Sequence, residues 1–164
     1  MLFRSKRQGV RCFITTQSST QAVPSLKEFA DGTALAINVS AVSNRLSGHD
    51  DYFFRLVPDV TQEQRSIARR LDGLPGRRLL VLQDTSNPAY TDPAFNVLIT
   101  VLNRSGRWQV TRHRLSVPNF DPKRDKHLLE GDYDAFYPLA GSFLPMIGNI
   151  AQLFHALHPK APIM

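Results

Sequence analysis

Between Leu79 and Gly106 the chain reads LLVLQDTSNPAYTDPAFNVLITVLNRSG, and few architectures accept such a segment. It opens with four unbroken apolar residues, Leu79 to Leu82. A run that short has no polar face, so it suits a strand buried on both sides of a parallel sheet. Gln83 to Pro93 is polar and holds two prolines, Pro88 and Pro93, so it is expected as a loop without ladder or helix. After it, Phe95, Leu98, Ile99 and Leu102 fall at helical spacing, and Gly106 is placed to stop the helix. Strand, polar loop and helix make the first half of a βαβ unit. Ligands of open α/β sheets bind in loops at the carboxyl ends of strands. Asp84, Thr85, Ser86, Asn87 and Tyr90 are therefore the first candidate contacts.

The rest of the chain repeats this alternation. Residues 1–8 are basic and expected to be irregular. Val10 to Thr15 and Ala34 to Ser40 read as strands joined by a helix. Ser18 and Ser19 are N-cap residues by type, Pro24 fits the first turn, and Gly32 would close that helix. Tyr52 to Val57 is a third strand or extended connector, ended by Pro58. The next helix has Thr61 and Gln64 spaced as a capping box, and Ile67 and Leu71 on its apolar face. Trp108 to Val117 and Tyr133 to Leu139 are further strands. A last helix follows Pro145, and Ala161 to Met164 looks like the start of another strand. The order predicts an α/β fold of three-layer α/β/α units with parallel sheets.

Composition narrows the function. The chain is 42% hydrophobic and 21% charged, as in ordinary globular proteins, and its length suits one domain or parts of two. No apolar run reaches the length of a membrane span, and no secretory leader pattern opens the chain. The net charge of +6 raises nucleic acid as a partner. The arginines are scattered, however, and Arg65, Arg69 and Arg70 read as a solvated helix face, so no nucleic-acid partner is expected. Cys12 sits in the apolar run VRCFI and is expected to be a buried, inert thiol. His155 and His158 have a metal-compatible spacing but no third ligand nearby. Asp84 and Asp92 are read as turn and cap residues rather than paired catalytic acids. No GxSxG, GxGxxG or P-loop occurs, so neither catalysis nor a cofactor is expected.

Several segments, in order, resemble the type I periplasmic binding proteins, the branched-chain amino-acid-binding proteins of ABC transporters. GVRCFITTQSSTQAV resembles a family strand ending on a hydroxyl-bearing loop at a helix start. ALAINVSAVSNRLS is similar to the next strand and its loop. DDYFFRLVPDVTQEQRSIARRL resembles the crossing between lobes, LLVLQDTSNPAY the lobe-two strand ending in Asp, and YDAFYPLAGSF a strand with a small-residue loop. The resemblance implies a two-lobe protein that closes on a small polar ligand such as an amino acid and performs no chemistry. It places 9–54 in part of lobe one, 55–58 in the crossing and 59–164 in a lobe-two-like domain. Its implied contacts are Ser18, Ser19, Ser40, Ala41 and Val42 from lobe one, with Tyr90, Ala140, Gly141 and Ser142 from lobe two. Helix-start hydroxyls and N–H groups would hold a ligand carboxylate, and Tyr90 would cover the ligand.

The family also implies an ABC transporter permease as partner and the periplasm as location, whereas the lack of a leader pattern points to the cytoplasm. Val42 stands where many members carry Thr, and the acidic residue that often binds the ligand amine would lie past Met164. The chain thus matches the middle of such a protein, and an oligomer would have to cover the sheet edges left unpaired. A second reading keeps the fold but not the ligand: an interaction protein akin to the envelope lipoproteins that regulate cell-wall synthesis. It predicts that the cleft is absent or filled by apolar side chains.

Overall fold

A computed structural model describes residues 2–141 and 145–164. Its central strand is β4, Arg78–Asp84, flanked by β5, Gln109–Leu115, and β6, Ala135–Leu139. Both neighbours run parallel to β4, with Leu82 opposite His113 on one side and Pro138 on the other. Because side chains alternate faces, Leu79 and Val81 enter one core and Leu80 and Leu82 another. All four are fully buried. The first core is covered by α3, Val60–Asp72, and α4, Pro88–Ser105. The second is covered by α6, Pro145–Leu157, through Ile150 and Phe154. Phe154 stacks on Phe136 with ring centroids 4.4 Å apart.

A smaller parallel sheet comes first in the chain: β1, Cys12–Thr15, β2, Leu35–Asn38, and β3, Phe53–Arg55, in that order. The helix α2, Ser19–Ser25, and the turn bearing Phe29 cover one face, where Phe29 meets Phe13 and Phe53 at centroid distances of 5.8 and 5.9 Å. On the opposite face the register aligns Ile14, Ile37 and Phe54 across the strands. Ile14 is 77% exposed and Phe54 53%, so this sheet has helices on one face only among the described residues. No helix among them is long and apolar enough to cross a membrane.

Several elements differ from expectation, each for a local reason. Residues 2–7 form a short helix, α1, tied down by Lys6, whose ammonium pairs with Asp31 at 2.9 Å. Cys12 is exposed, because it shares the bare face with Ile14. The cap of α3 is Asp59, which accepts from the Gln62 N–H at 3.0 Å, so Thr61 and Gln64 form no capping box. β4 runs on through Gln83 and Asp84, and α4 begins at Pro88, well before Pro93. Pro88 stands at the first helical position, where no N–H is needed. Pro93 lies inside α4 and Pro24 inside α2, each leaving one carbonyl of the preceding turn unpaired in the helix ladder. Gly106 ends α4 in the left-handed conformation, φ 60°, as the sequence indicates. At the far end, Ile163 bridges Phe136 of β6, so the last residues do begin a parallel strand. The short α5, Pro122–Asp125, lies between β5 and β6.

Candidate functional site

The two sheets empty into one cleft of about 400 Å³. Thr16, Ser18, Ser19 and Gln21 reach it from beyond β1, and Ser40 and Val42 from beyond β2. Asp84, Ser86, Asn87 and Tyr90 follow β4, Ala140 and Gly141 follow β6, and Glu63 comes from α3. Apart from Glu63, every lining residue lies at or past the carboxyl end of a parallel strand, where such folds hold ligands.

Buried polar residues set the shape of the lobe-one wall. Asn38 is fully buried at the end of β2. Its amide donates to Thr15 Oγ1 at 3.0 Å and to the Gln17 carbonyl at 3.1 Å. Its carbonyl oxygen accepts from the N–H groups of Ser40 and Ala41 at 2.9 and 2.6 Å. Ser19 Oγ accepts from the N–H groups of Val42 and Ser43 at 3.2 and 3.1 Å. Ser40 Oγ donates to the Gln17 carbonyl at 3.0 Å. Ser19 and Ser40, two of the four serines that the resemblance implies as ligand contacts, therefore spend hydroxyl bonds on the wall itself.

The lobes meet where α2 and α4 begin. Asn87 Oδ1 accepts from Thr20 N–H at 3.2 Å and from Thr20 Oγ1 at 2.8 Å. The Ala89 N–H donates to Thr20 Oγ1 at 3.4 Å. The Ser18 N–H goes to Gln21 Oε1 at 3.2 Å, and Pro88 has no N–H. Those three donors are engaged, which leaves the Ser19 N–H as the α2-start group without a partner among the described residues.

The lobe-two wall is acidic and phenolic. Asp84 is fully buried; Oδ1 accepts from the N–H groups of Ser86 and Val117 at 2.9 and 3.0 Å, and Oδ2 from Ser86 Oγ at 2.6 Å. Asp92 instead faces Arg114 at 3.3 Å, so the two aspartates serve separate networks. Glu63 Oε2 accepts from the Tyr90 hydroxyl at 3.1 Å and from Gln64 Nε2 at 3.3 Å. Gln64 Nε2 also donates to the Tyr137 hydroxyl at 2.9 Å. Burial pushes the Glu63 carboxyl above the usual carboxylate range, and the bonds from Tyr90 and Gln64 only partly offset it. Burial also raises both tyrosines, so each stays a neutral phenol.

Of the contacts implied by resemblance, Ser18, Ser19, Ser40, Val42, Tyr90, Ala140 and Gly141 line this one cleft. Ala41 is turned into the core of the first sheet and does not line this cleft. Ser142 lies outside the described residues. Tyr90 is a wall rather than a lid: it is 7% exposed, packs in the core under α4 and gives its hydroxyl to Glu63. Sequence reasoning missed Thr16, Gln21 and Glu63. Glu63 precedes Ile67 by four residues, which puts a carboxylate on the apolar stripe of α3. That misplaced charge was the available signal. No group of three His, Cys, Asp or Glu side chains able to hold a metal ion gathers among the described residues. His158 instead meets the Leu129 carbonyl at 2.9 Å and packs on Phe154.

No protein-family model matches the sequence, and no curated protein matches it. Solved structures do match its shape. An ABC transporter substrate-binding protein from Desulfitobacterium hafniense, in complex with Leu, superposes with a TM-score of 0.65 at 14% identity, over 92% of this chain and 44% of that one. A leucine-binding protein from Thermotoga maritima gives a TM-score of 0.63 at 16% identity, over 80% of this chain and 37% of its own. A solute-binding protein of an ABC transporter from Rhodopseudomonas palustris, in complex with 3,4-dihydroxybenzoic acid, gives 0.61 at 16%, over 94% and 42%. This chain thus spans less than half the length of each. In its parallel sheets with flanking helices the chain has the fold of the type I periplasmic binding proteins, matched over part of their length.

Proposed function

We propose that this chain is a non-catalytic solute-binding module, or part of one, holding a small polar ligand between its two sheets. The observation that carries this reading is the convergence of strand ends from both sheets on a single cleft. Its volume of about 400 Å³ lies in the range of small-molecule sites. The cleft is open and many of its lining side chains are polar, whereas a ligand-free interaction protein predicts a cleft that is absent or filled by apolar side chains. On this reading 9–54 belong to one lobe, 55–58 cross over and 59–164 form the other. The similar structures in complex with Leu and with 3,4-dihydroxybenzoic acid lend the reading a ligand size. Delivery to an ABC transporter permease outside the cytoplasm follows by the same analogy.

Thermal unfolding of the purified chain against a panel of small solutes tests the reading. A ligand at about 100 times its dissociation constant should add nearly 3 kcal/mol to the folded state. Val42→Phe, which puts a ring into the cleft, should abolish that shift while the unliganded transition persists. The bare apolar face of the first sheet favours a second reading, an interaction protein of the same fold. A cooperative transition that no solute moves would support that alternative.

A further inference from the structure

The cleft has a sign. Its charged lining side chains are Glu63 and Asp84, and no Lys, Arg or His lines it among the described residues. Asp84 is committed, because three hydrogen bonds hold it to Ser86 and Val117. Glu63 is different. Only its Oε2 accepts hydrogen bonds, and Oε1 has no partner among the described residues. No cation pairs with it there. The titratable groups around it are Tyr90 from α4, Tyr137 from β6 and Asp84 from β4, none of which can supply positive charge. Burial disfavours the charge on this carboxylate, and a ligand cation reaching its unpartnered oxygen in the cleft would offset that cost.

Several of the backbone donors that could have welcomed an anion are already used. Thr20 N–H and Ala89 N–H bond across the lobe contact, and Ser18 N–H bonds to Gln21. An anionic ligand would therefore meet two carboxylates without a basic side chain or these N–H groups to balance it.

We propose that the cleft selects solutes bearing an ammonium group, which sits against Glu63 Oε1, and rejects solutes whose only charge is a carboxylate. This rests on the cleft being the binding site, and it names Glu63 as the residue that sets ligand class. Titration calorimetry of the full chain with n-butylamine, leucine and sodium benzoate tests it. The amine and the amino acid bind and benzoate does not. Glu63→Gln keeps an acceptor for the Tyr90 hydroxyl and lowers amine affinity by at least about tenfold, as expected on removing one partner of a buried charge pair. Wild-type amine binding weakens as pH falls through the raised pKa of Glu63, while the variant shows no such dependence. A merely structural role for Glu63 would not produce that difference. Benzoate binding without amine binding, or an unchanged amine affinity in Glu63→Gln, overturns the charge selection and leaves the cleft reading standing. No heat from any of the three compounds, with no shift across the wider solute panel, overturns both.

Discussion

Glu63 holds a carboxyl group where burial disfavours its charge, and that has a consequence for stability independent of any ligand. An unfolded Glu titrates near about 4.3, and the folded carboxyl titrates above its unfolded value. Between those two values the folded protein holds the extra proton, so stability falls as pH rises through that window. Above it the penalty is fully present. Glu63→Gln removes the penalty, so the variant should be more stable than wild type at neutral pH. The gap should close as pH falls below the unfolded value. Urea unfolding at neutral and acid pH measures this, and a variant less stable at neutral pH would contradict it. The carboxyls of Asp31 and Asp125, each lowered to about 2 by hydrogen bonds to Lys6 and Arg124, act equally in both chains and cancel. At this scale the sequence was only partly legible. Asp84, Ser86, Asn87 and Tyr90 could be placed at the cleft because they follow a strand end, whereas Ser18 and Ser40 were placed there only by the family resemblance. Glu63 was signalled only by its place on the apolar stripe of α3, and the packing of α3 beside α4 is what turns it to the cleft.

At the scale of elements, β4 and α4 carry the larger lobe. Leu80 is fully buried between the sheet and α6, so Leu80→Ala should cost about 2–5 kcal/mol through lost burial and the cavity left behind. Chemical unfolding followed by circular dichroism checks it, and a cost well under that range would mean that α6 packs loosely. The apolar run of β4 was readable because both of its faces are covered. Its end was not. Gln83 and Asp84 look like loop residues, yet both are fully buried and bonded. The Gln83 amide donates to Asp92 at 2.7 Å, and its carbonyl oxygen accepts from Arg112 at 2.6 Å. Asp84 is held by the backbone of Ser86 and Val117. Tertiary partners can satisfy polar side chains that a periodicity argument assigns to solvent. The prolines misled in the same way, since Pro88 opens a helix and Pro93 is carried by the packing of the rest of α4.

At the scale of the molecule, the order of strands and helices specified parallel sheets, and the structure contains them. What the sequence does not encode locally is that the ends of β1 and β2 face those of β4 and β6. That arrangement is fixed by long-range bonds: Thr20 to Asn87, the Val60 N–H to the Val42 carbonyl at 2.8 Å, and Asn44 to Thr61 at 3.0 Å. The exposed row of Ile14 and Phe54 is also a whole-molecule property, because only the strand register brings the two into line. The central claim is that the cleft between the sheets is a solute site. The most direct test is a two-dimensional amide NMR titration of the chain with a solute that shifts its unfolding transition. Perturbed resonances should cluster at 16–21, 40–42, 63, 84–90 and 140–141. Perturbations confined to another surface, such as the face carrying Ile14 and Phe54, would contradict the claim.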